Sequence, residues 1–455
     1  MSTNETMESI VALAKRRGFI YPGSEIYGGL AGTWDYGPLG VALKRNVERL
    51  WWRMFVEERE DMFGVDAAIL MNPRAWEASG HVGGFADPLV EDEKTKRRYR
   101  ADHLLEDAGV ETKGMKLEDM DRAIREKGIK SPDGNALGPV RQFNMMFKTS
   151  VGATEDAASV VYLRPETAGG MFVNFKNVID SFHPKLPFGL GQIGKAFRNE
   201  IAPRDFIFRV RELEQMEIEY FVRPEEWEKH FELWRVAMHE WTKLIGLDPT
   251  KVHELEVAPA DLAHYSKRTI DFEYDFPFGR KELYGLAYRT DFDLKAHGEA
   301  SRVDLSYFDE EKKERFVPHV IEPTFGVGRT LLAILAESYR EDDMGGEKRV
   351  YLALPAHLAP VRVAVFPLLK NKLELVAKAR EVHARVKKLI PNAMFDDNGN
   401  IGKRYRRQDE IGTPYCITVD FDTLEDGAVT VRDRDTGEQE RVPVGDLAEK
   451  LGAIL

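Results

Sequence analysis

The chain has 455 residues, 43% of them hydrophobic, with 65 basic and 77 acidic side chains that leave a formal charge of −12. That length exceeds one typical core and predicts two or three domains, while the charge excludes a protein that is basic all over without excluding a local basic patch for nucleic acid. The single cysteine, Cys416, excludes an intrachain disulfide and a thiolate zinc site, and no apolar run reaches the ~18–20 residues that span a bilayer, so a reducing, cytoplasmic setting is expected.

Met7 to Arg17 reads as an amphipathic helix closed by Gly18, with Ile10, Val11, Leu13 and Ala14 on its apolar side. Leu39 to Met62 predicts a longer helix, because Leu43, Val47, Leu50, Trp51, Met54 and Phe55 recur at three- and four-residue spacing. From about 87 to 152 the sequence turns charged and rich in turn signals, with a short helix over Leu117 to Lys127, and this predicts an insertion. The runs Gly191 to Glu200 and Arg209 to Glu217 then predict two paired strands, joined by the turn chemistry of Ala202-Pro203-Arg204-Asp205. Their period-two alternation sends Arg198 and Glu200 to one face. On these residues alone the hairpin is equally a solvated ribbon with surface ion pairs.

A second variable region covers about 222 to 283, helical over Trp227 to Trp241 and extended over Tyr274 to Phe278. The polar run from Tyr339 to Lys348, with its two glycines, predicts a linker at 341–348. Beyond it strands and helices alternate: Val361 to Phe366, helix Leu373 to Lys388, helix Gly402 to Ile411, strand Cys416 to Phe421 and strand Val429 to Arg434. That order predicts an α/β domain over 349–455 with a largely parallel sheet. Within it Lys403-Arg404-Tyr405-Arg406-Arg407 is the candidate basic patch, although such runs are usually solvated surface.

Phe197-Arg198-Asn199-Glu200 followed by Arg211-Glu212-Leu213-Glu214-Gln215-Met216-Glu217 resembles motif 2 of the class II aminoacyl-tRNA synthetases, in the version of the homodimeric glycyl-tRNA synthetases. Gly37-Pro38-Leu39-Gly40 opening into Leu43-Lys44-Arg45 is similar to motif 1, and Ile321-Glu322-Pro323-Thr324-Phe325-Gly326-Val327-Gly328-Arg329 is similar to motif 3. Blocks at Arg98–His103, Arg164–Thr167 and Arg289–Leu294 extend the likeness over nearly the whole chain. The resemblance implies an α+β catalytic domain over 1–340, built on an antiparallel sheet of six or seven strands, followed by an anticodon-binding domain. It also implies a homodimer formed in large part through the 39–62 helix, with glycine, ATP and tRNA as substrates and no membrane attachment.

The implied reaction joins glycine to the α-phosphate of ATP and then passes the glycyl group to the 3′ end of tRNA(Gly). Both reacting ends are anionic, so oriented cations must neutralise and align them. The resemblance gives that work to Arg198, bridging α-phosphate and carboxylate, and to Arg329 over the adenine and γ-phosphate side. It assigns ATP contacts to Asn199, Glu200, Phe208, Arg209, Val210, Arg211, Glu212, Leu213, Glu282, Leu283, Gly326, Val327 and Gly328. Leu213 stands where the family has an adenine-stacking phenylalanine, a loss of about 1 kcal/mol on the scale of aromatic pairs.

Glycine offers no side chain to read, so its ammonium must be the handle. The family places Glu166, Glu217 and Glu322 around it. Arg100, Leu213, Glu214, Gln215, Met216, Arg289, Pro323, Thr324, Phe325 and Gly326 complete the implied pocket. Magnesium is expected with ATP, on Glu282; no zinc is expected, since Glu91 to Lys96 replaces the cysteine pairs of many bacterial relatives. Lys403, Arg404, Arg406 and Arg407 are the implied anticodon contacts. The competing readings are a synthetase for another small amino acid, or a non-catalytic synthetase-like protein that binds RNA or serves a polymerase as accessory subunit.

Overall fold

The computed structural model describes residues 3–112, 114–152, 159–344 and 346–454, so Lys113 of the expected insertion and Gly345 of the expected linker lie outside the described residues. Helix α1 (Thr3–Arg17) precedes α2 (Pro38–Trp52), where Pro38 occupies the first turn that lacks need of its N–H. The expected helix to Met62 stops earlier. After one π turn at Arg53–Glu57, in which Glu58 N–H reaches back to the Arg53 carbonyl, the chain leaves the helix and Met62 enters strand β1 (Met62–Gly64).

Helix α3 (Ala168–Phe182), strands β2 (Phe188–Phe197) and β3 (Glu212–Val222), helix α4 (Trp227–Leu244), then β4 (Val252–Glu256), β5 (Arg268–Phe276), β6 (Gly279–Thr290), β7 (His319–Gly326) and α5 (Val327–Ser338) complete the N-terminal framework. The seven strands form one sheet in the order β4-β5-β6-β7-β3-β2-β1, antiparallel except where β1 runs parallel to β2. The region 222–283, expected as a variable addition, therefore supplies part of the main sheet.

Alternation on the central strands decides what each face holds. Met216, Ile218 and Tyr220 of β3, with Ile321 and Phe325 of β7, enter an apolar core with α2 and α4. There Trp51, Phe55, Trp241 and Phe325 pack with ring centroids 5.3 to 6.2 Å apart. The alternate residues Gln215, Glu217 and Glu219, with Glu322, are also buried, on the opposite face. That face carries the site.

The insertion is a small folded unit. Strands at Ala86–Glu91, Arg98–Arg100 and Arg141–Asn144 pair, and helices Ala101–Asp107 and Leu117–Glu126 cover them over a core of Val90, Ala101, Leu105, Met120 and Ile124.

The expected linker is a β-hairpin, strand β8 (Tyr339–Met344) against β9 (Glu347–Leu352). Its Asp342 is held by Arg349, 1% exposed, which donates to Asp342 (2.8 Å), to Asp409 (3.4 Å) and to the Arg434 carbonyl (2.7 Å). Strands β10 (Val363–Pro367), β11 (Met394–Phe395), β12 (Tyr415–Val419), β13 (Ala428–Asp433) and β14 (Gln439–Pro443) form the C-terminal sheet in the order β11-β10-β12-β13-β14. Only the pairings of β10 with β11 and β12 are parallel; β13 and β14 are added antiparallel, so the sheet is mixed where a largely parallel one was expected.

Trp241 is fully buried, and its indole N–H donates to the Tyr284 hydroxyl at 3.1 Å. Trp241→Ala should cost about 3 to 5 kcal/mol by emptying this aromatic core, read as a lower denaturant midpoint for the N-terminal part.

Candidate active site

A cavity of about 510 Å³ opens over the polar face of β3, β6 and β7. Its deep end is acidic. Glu166 precedes α3, Glu217 stands on β3 and Glu322 on β7, and each lines the cavity although nearly all their surface is buried. Glu217 is held by four donors: Thr167 through its N–H (3.2 Å) and its hydroxyl, Gln215 Nε2 (3.1 Å) and Thr324 Oγ1 (3.0 Å). Glu219, one pleat further along β3, is fully buried with neither oxygen partnered by a hydrogen bond, and Glu217, Glu219 and Glu322 each bring an oxygen within 4.8 Å of the others.

The Arg289 guanidinium offsets much of this charge. Arg289 of β6, 1% exposed, donates to Asp293 from Nε (2.8 Å) and Nη2 (2.9 Å) and to Glu322 from Nη1 (2.7 Å), with Tyr265 3.8 Å from its centre. Burial and the neighbouring acids still dominate. Desolvation, opposed by Arg289 and helped by Glu217 and Glu166, pushes the Glu322 carboxyl up to about 8. Desolvation and Glu166 raise Glu217, and desolvation with Glu322 carries Glu219 well above the ordinary range. Glu166 goes the other way: against its own desolvation, His81, Arg289 and Arg198 hold it down at about 2.

The outer end suits a nucleotide. Arg198 donates from Nε to the Pro165 carbonyl at 3.1 Å, Arg209 pairs with Glu200 at 3.1 Å, and Arg329 stacks over Phe208 at 4.5 Å while pairing with Glu282 at 3.1 Å. Arginine forks beside a ring are the usual equipment for phosphate and base recognition. Asp271 of β5 and Glu282 of the adjacent strand β6 both line the cavity; burial first, then Glu282 and Glu273, push the Asp271 carboxyl up to about 7 against the pull of Arg329.

Most of the sequence candidates line the cavity: Glu166, Arg198, Glu200, Phe208, Arg209, Val210, Glu212, Leu213, Glu214, Gln215, Glu217, Glu282, Leu283, Glu322, Thr324, Gly326, Gly328 and Arg329. Others do not. Arg289 lies beneath the wall with its fork filled by Asp293 and Glu322, so it positions an acid where a substrate contact was expected. Arg100 is taken up by Asp87 (2.5 Å) and Asp102 (2.5 Å) in the insertion. Arg211 donates to the Glu200 and Ala31 carbonyls, at 3.1 and 2.7 Å, bracing the loop. Met216, Phe325 and Val327 point into the apolar core, and Asn199 and Pro323 do not reach the cavity lining.

Arg198 and Glu200 do not share a strand face either. Strand β2 ends at Phe197, and the next residues are turned by Glu200 N–H to the Arg198 carbonyl (2.7 Å) and Asn199 N–H to the Met145 carbonyl (2.7 Å) of the insertion.

Trp34, Tyr36, Lys195, Tyr265 and Asp271 line the cavity without having been singled out. Two signals were available: Lys195 lies inside the β2 block, and Asp271 alternates with Phe272 and Tyr274. Glu219 repeats the period of Glu217 and was passed over in the same way. Tyr36 hangs over a further ion cluster in which Lys44 of α2 pairs with Glu214 and, at 3.4 Å, with Glu48.

The C-terminal basic run is mostly structural. Arg404 is 1% exposed and donates to the carbonyls of Pro367, Asp397 (3.1 Å), Gly399 (2.7 Å) and Asn398 (3.4 Å), so it fixes the turn before its helix and cannot meet RNA at the surface. Arg406 reaches the Lys348 carbonyl (2.8 Å) and Glu347 (2.9 Å), and Arg407 reaches Asp396 (2.7 Å). Lys403 is exposed.

Comparison with known families agrees with this architecture. Residues 147–338 match the tRNA synthetase class II core domain (G, H, P, S and T), and residues 362–454 match the anticodon binding domain. Fold and site thus define a class II aminoacyl-tRNA synthetase. Glycine–tRNA ligases of Lachnospira eligens (52% identical over 454 residues, 97% of both chains), Geobacillus kaustophilus (52% over 453 residues, 97% of both) and Acetivibrio thermocellus (50% over 456 residues, 98% of both) resemble it end to end. The chain belongs to the glycine–tRNA ligase family.

The raised Asp271 carboxyl has a consequence for stability. A carboxyl whose folded pKa exceeds its unfolded value costs stability as pH rises from the unfolded value through about 7. Asp271→Asn should therefore raise the thermal midpoint of the substrate-free protein at pH 8 more than at pH 5, as thermal unfolding at the two pH values will show.

Proposed function

We propose that this chain activates glycine with ATP and transfers it to the 3′ end of tRNA(Gly). The observation that carries the reading is the juxtaposition, in one cavity, of a buried acidic floor with an outer rim of arginines. An ammonium group is small enough to be held by Glu166 and Glu322 together, with Glu217 fixed between Thr167 and Thr324 as the wall. Arg198 sits between the acidic floor and the rim, where it can neutralise the substrate carboxylate and the α-phosphate as they approach. In-line attack by the carboxylate then expels pyrophosphate, and the adenylate hands its acyl group to a ribose hydroxyl of the tRNA. Arg329 and Phe208 present a cation and a ring to the base, which offsets the missing ring at Leu213.

Magnesium fits the Glu282–Asp271 side, because two carboxylates on neighbouring strands there repel one another and a divalent cation relieves that repulsion. Bound with ATP it would neutralise phosphate charge; Glu282 and Asp271 would hold it. For tRNA we assign the C-terminal surface to Lys403, Arg406 and Arg407, with Arg404 as its internal brace. A homodimer is favoured by exposed apolar side chains on α2 and in the segment that precedes it, with Ile26 89%, Tyr27 87% and Leu30 61% exposed and Val41 of the helix exposed as well. A reducing cytoplasmic setting accords with one buried thiol, Cys416, raised by desolvation. Among the described residues no helix is long and apolar enough to cross a membrane.

Arg198→Ala should lower glycine-dependent ATP–pyrophosphate exchange by at least about a hundredfold, the scale of losing one transition-state electrostatic contact, with an unchanged thermal midpoint. Exchange near the parental rate would refute the assignment.

A further inference from the structure

His81 closes the acidic end of the cavity from behind, at the start of the short helix His81–Gly84, and it is 7% exposed. Its Nε2 lies 3.3 Å from Glu166 Oε2, and its Nδ1 lies 2.8 Å from Ser79 Oγ. Trp76 meets the ring edge-on at 5.5 Å and Phe85 lies against it at 5.6 Å, so the imidazole has one orientation. Arg198 lies 5.5 Å over that same Phe85.

The hydroxyl of Ser79 is the adaptable part. It can accept from Nδ1–H while donating to the Trp76 carbonyl at 3.4 Å, or turn and donate to a bare Nδ1. Both the cationic and the neutral imidazole are therefore satisfied in place, and in both Nε2–H points at Glu166.

Resting on the reading of this end as the amine subsite, we propose that His81 is a positioning residue for Glu166. Its Nε2–H donates to the Glu166 carboxylate and holds it toward the substrate amine, while Ser79 donates to Nδ1 and so keeps the ring proton on Nε2.

The test uses the full-length enzyme and three variants. In ATP–pyrophosphate exchange, His81→Ala should raise the KM for glycine about tenfold, and His81→Gln, which keeps a donor, should restore it. Ser79→Ala, which removes the hydroxyl partner of Nδ1, should raise the KM for glycine less than His81→Ala does, and the KM for ATP read in the same assay should stay unmoved in the three variants. An unchanged KM for glycine in His81→Ala, or no rescue by His81→Gln, would overturn the proposal alone. A parent enzyme that exchanges on another amino acid and not on glycine would overturn the amine-subsite reading, and this proposal with it.

Discussion

A carboxylate taken from water into a sheet interior loses several kcal/mol of hydration, which only well-aimed donors or opposite charge return. This chain buries Glu166, Glu217, Glu219, Glu322 and Asp293 around the fully buried Arg289. The local architecture answers that imbalance. Helix α3 begins at Thr167 so that its N–H and hydroxyl serve Glu217, Thr324 on the neighbouring strand serves the other oxygen, and Arg289 shares its fork between two acids. What stays uncompensated is Glu219 and part of the charge on Glu322. A substrate that carries one positive charge and no side chain completes the set, and a larger amino acid would have to displace donors that these acids need.

Floor and rim are built on different parts of the fold. Floor residues lie on central strands flanked by the aromatic core of Trp51, Phe55, Trp241 and Phe325, whereas Arg198, Glu200 and Arg209 sit on the irregular connection after β2. Two turns of that connection are left-handed, at Asp205 and Phe206, so the loop is held by shape and by Arg211 gripping carbonyls. Helix α2 reaches the site through Lys44 and Glu214, a buried link between the exposed apolar surface near Val41 and strand β3.

Much of this was legible in the sequence, and the failures share a cause. The acids Glu166, Glu217 and Glu322 and the arginines Arg198 and Arg329 lie in short blocks whose residue order survives in the fold. Periodicity located the C-terminal helices Leu373–Leu389 and Ile401–Glu410 to within about a residue of their ends, but it could not say where charge is buried, because a charged residue looks the same in sequence whether solvent or a partner satisfies it. Arg289, Arg349 and Arg404 are the instances. Each was read as a ligand contact, as part of no site, or as basic surface, and each is a buried fork that ties backbone or acids together. The i, i+4 spacing of Arg289 and Asp293 was a usable hint; the partners of Arg349 and Arg404 come from elsewhere in the chain. Arg198 and Glu200 were placed on one strand face because alternation cannot show where a strand ends.

The central claim is that the acidic floor selects the amino acid by its ammonium and its lack of a side chain. The most direct measurement is ATP–pyrophosphate exchange with each amino acid supplied separately to the full-length enzyme. Exchange with glycine, and alanine and serine slower by at least about a hundredfold in kcat/KM, is the predicted result; a close-packed site rejects added atoms more strongly than the ~1–3 kcal/mol by which an apolar pocket prefers a methylene. Comparable exchange with alanine or serine would contradict the account.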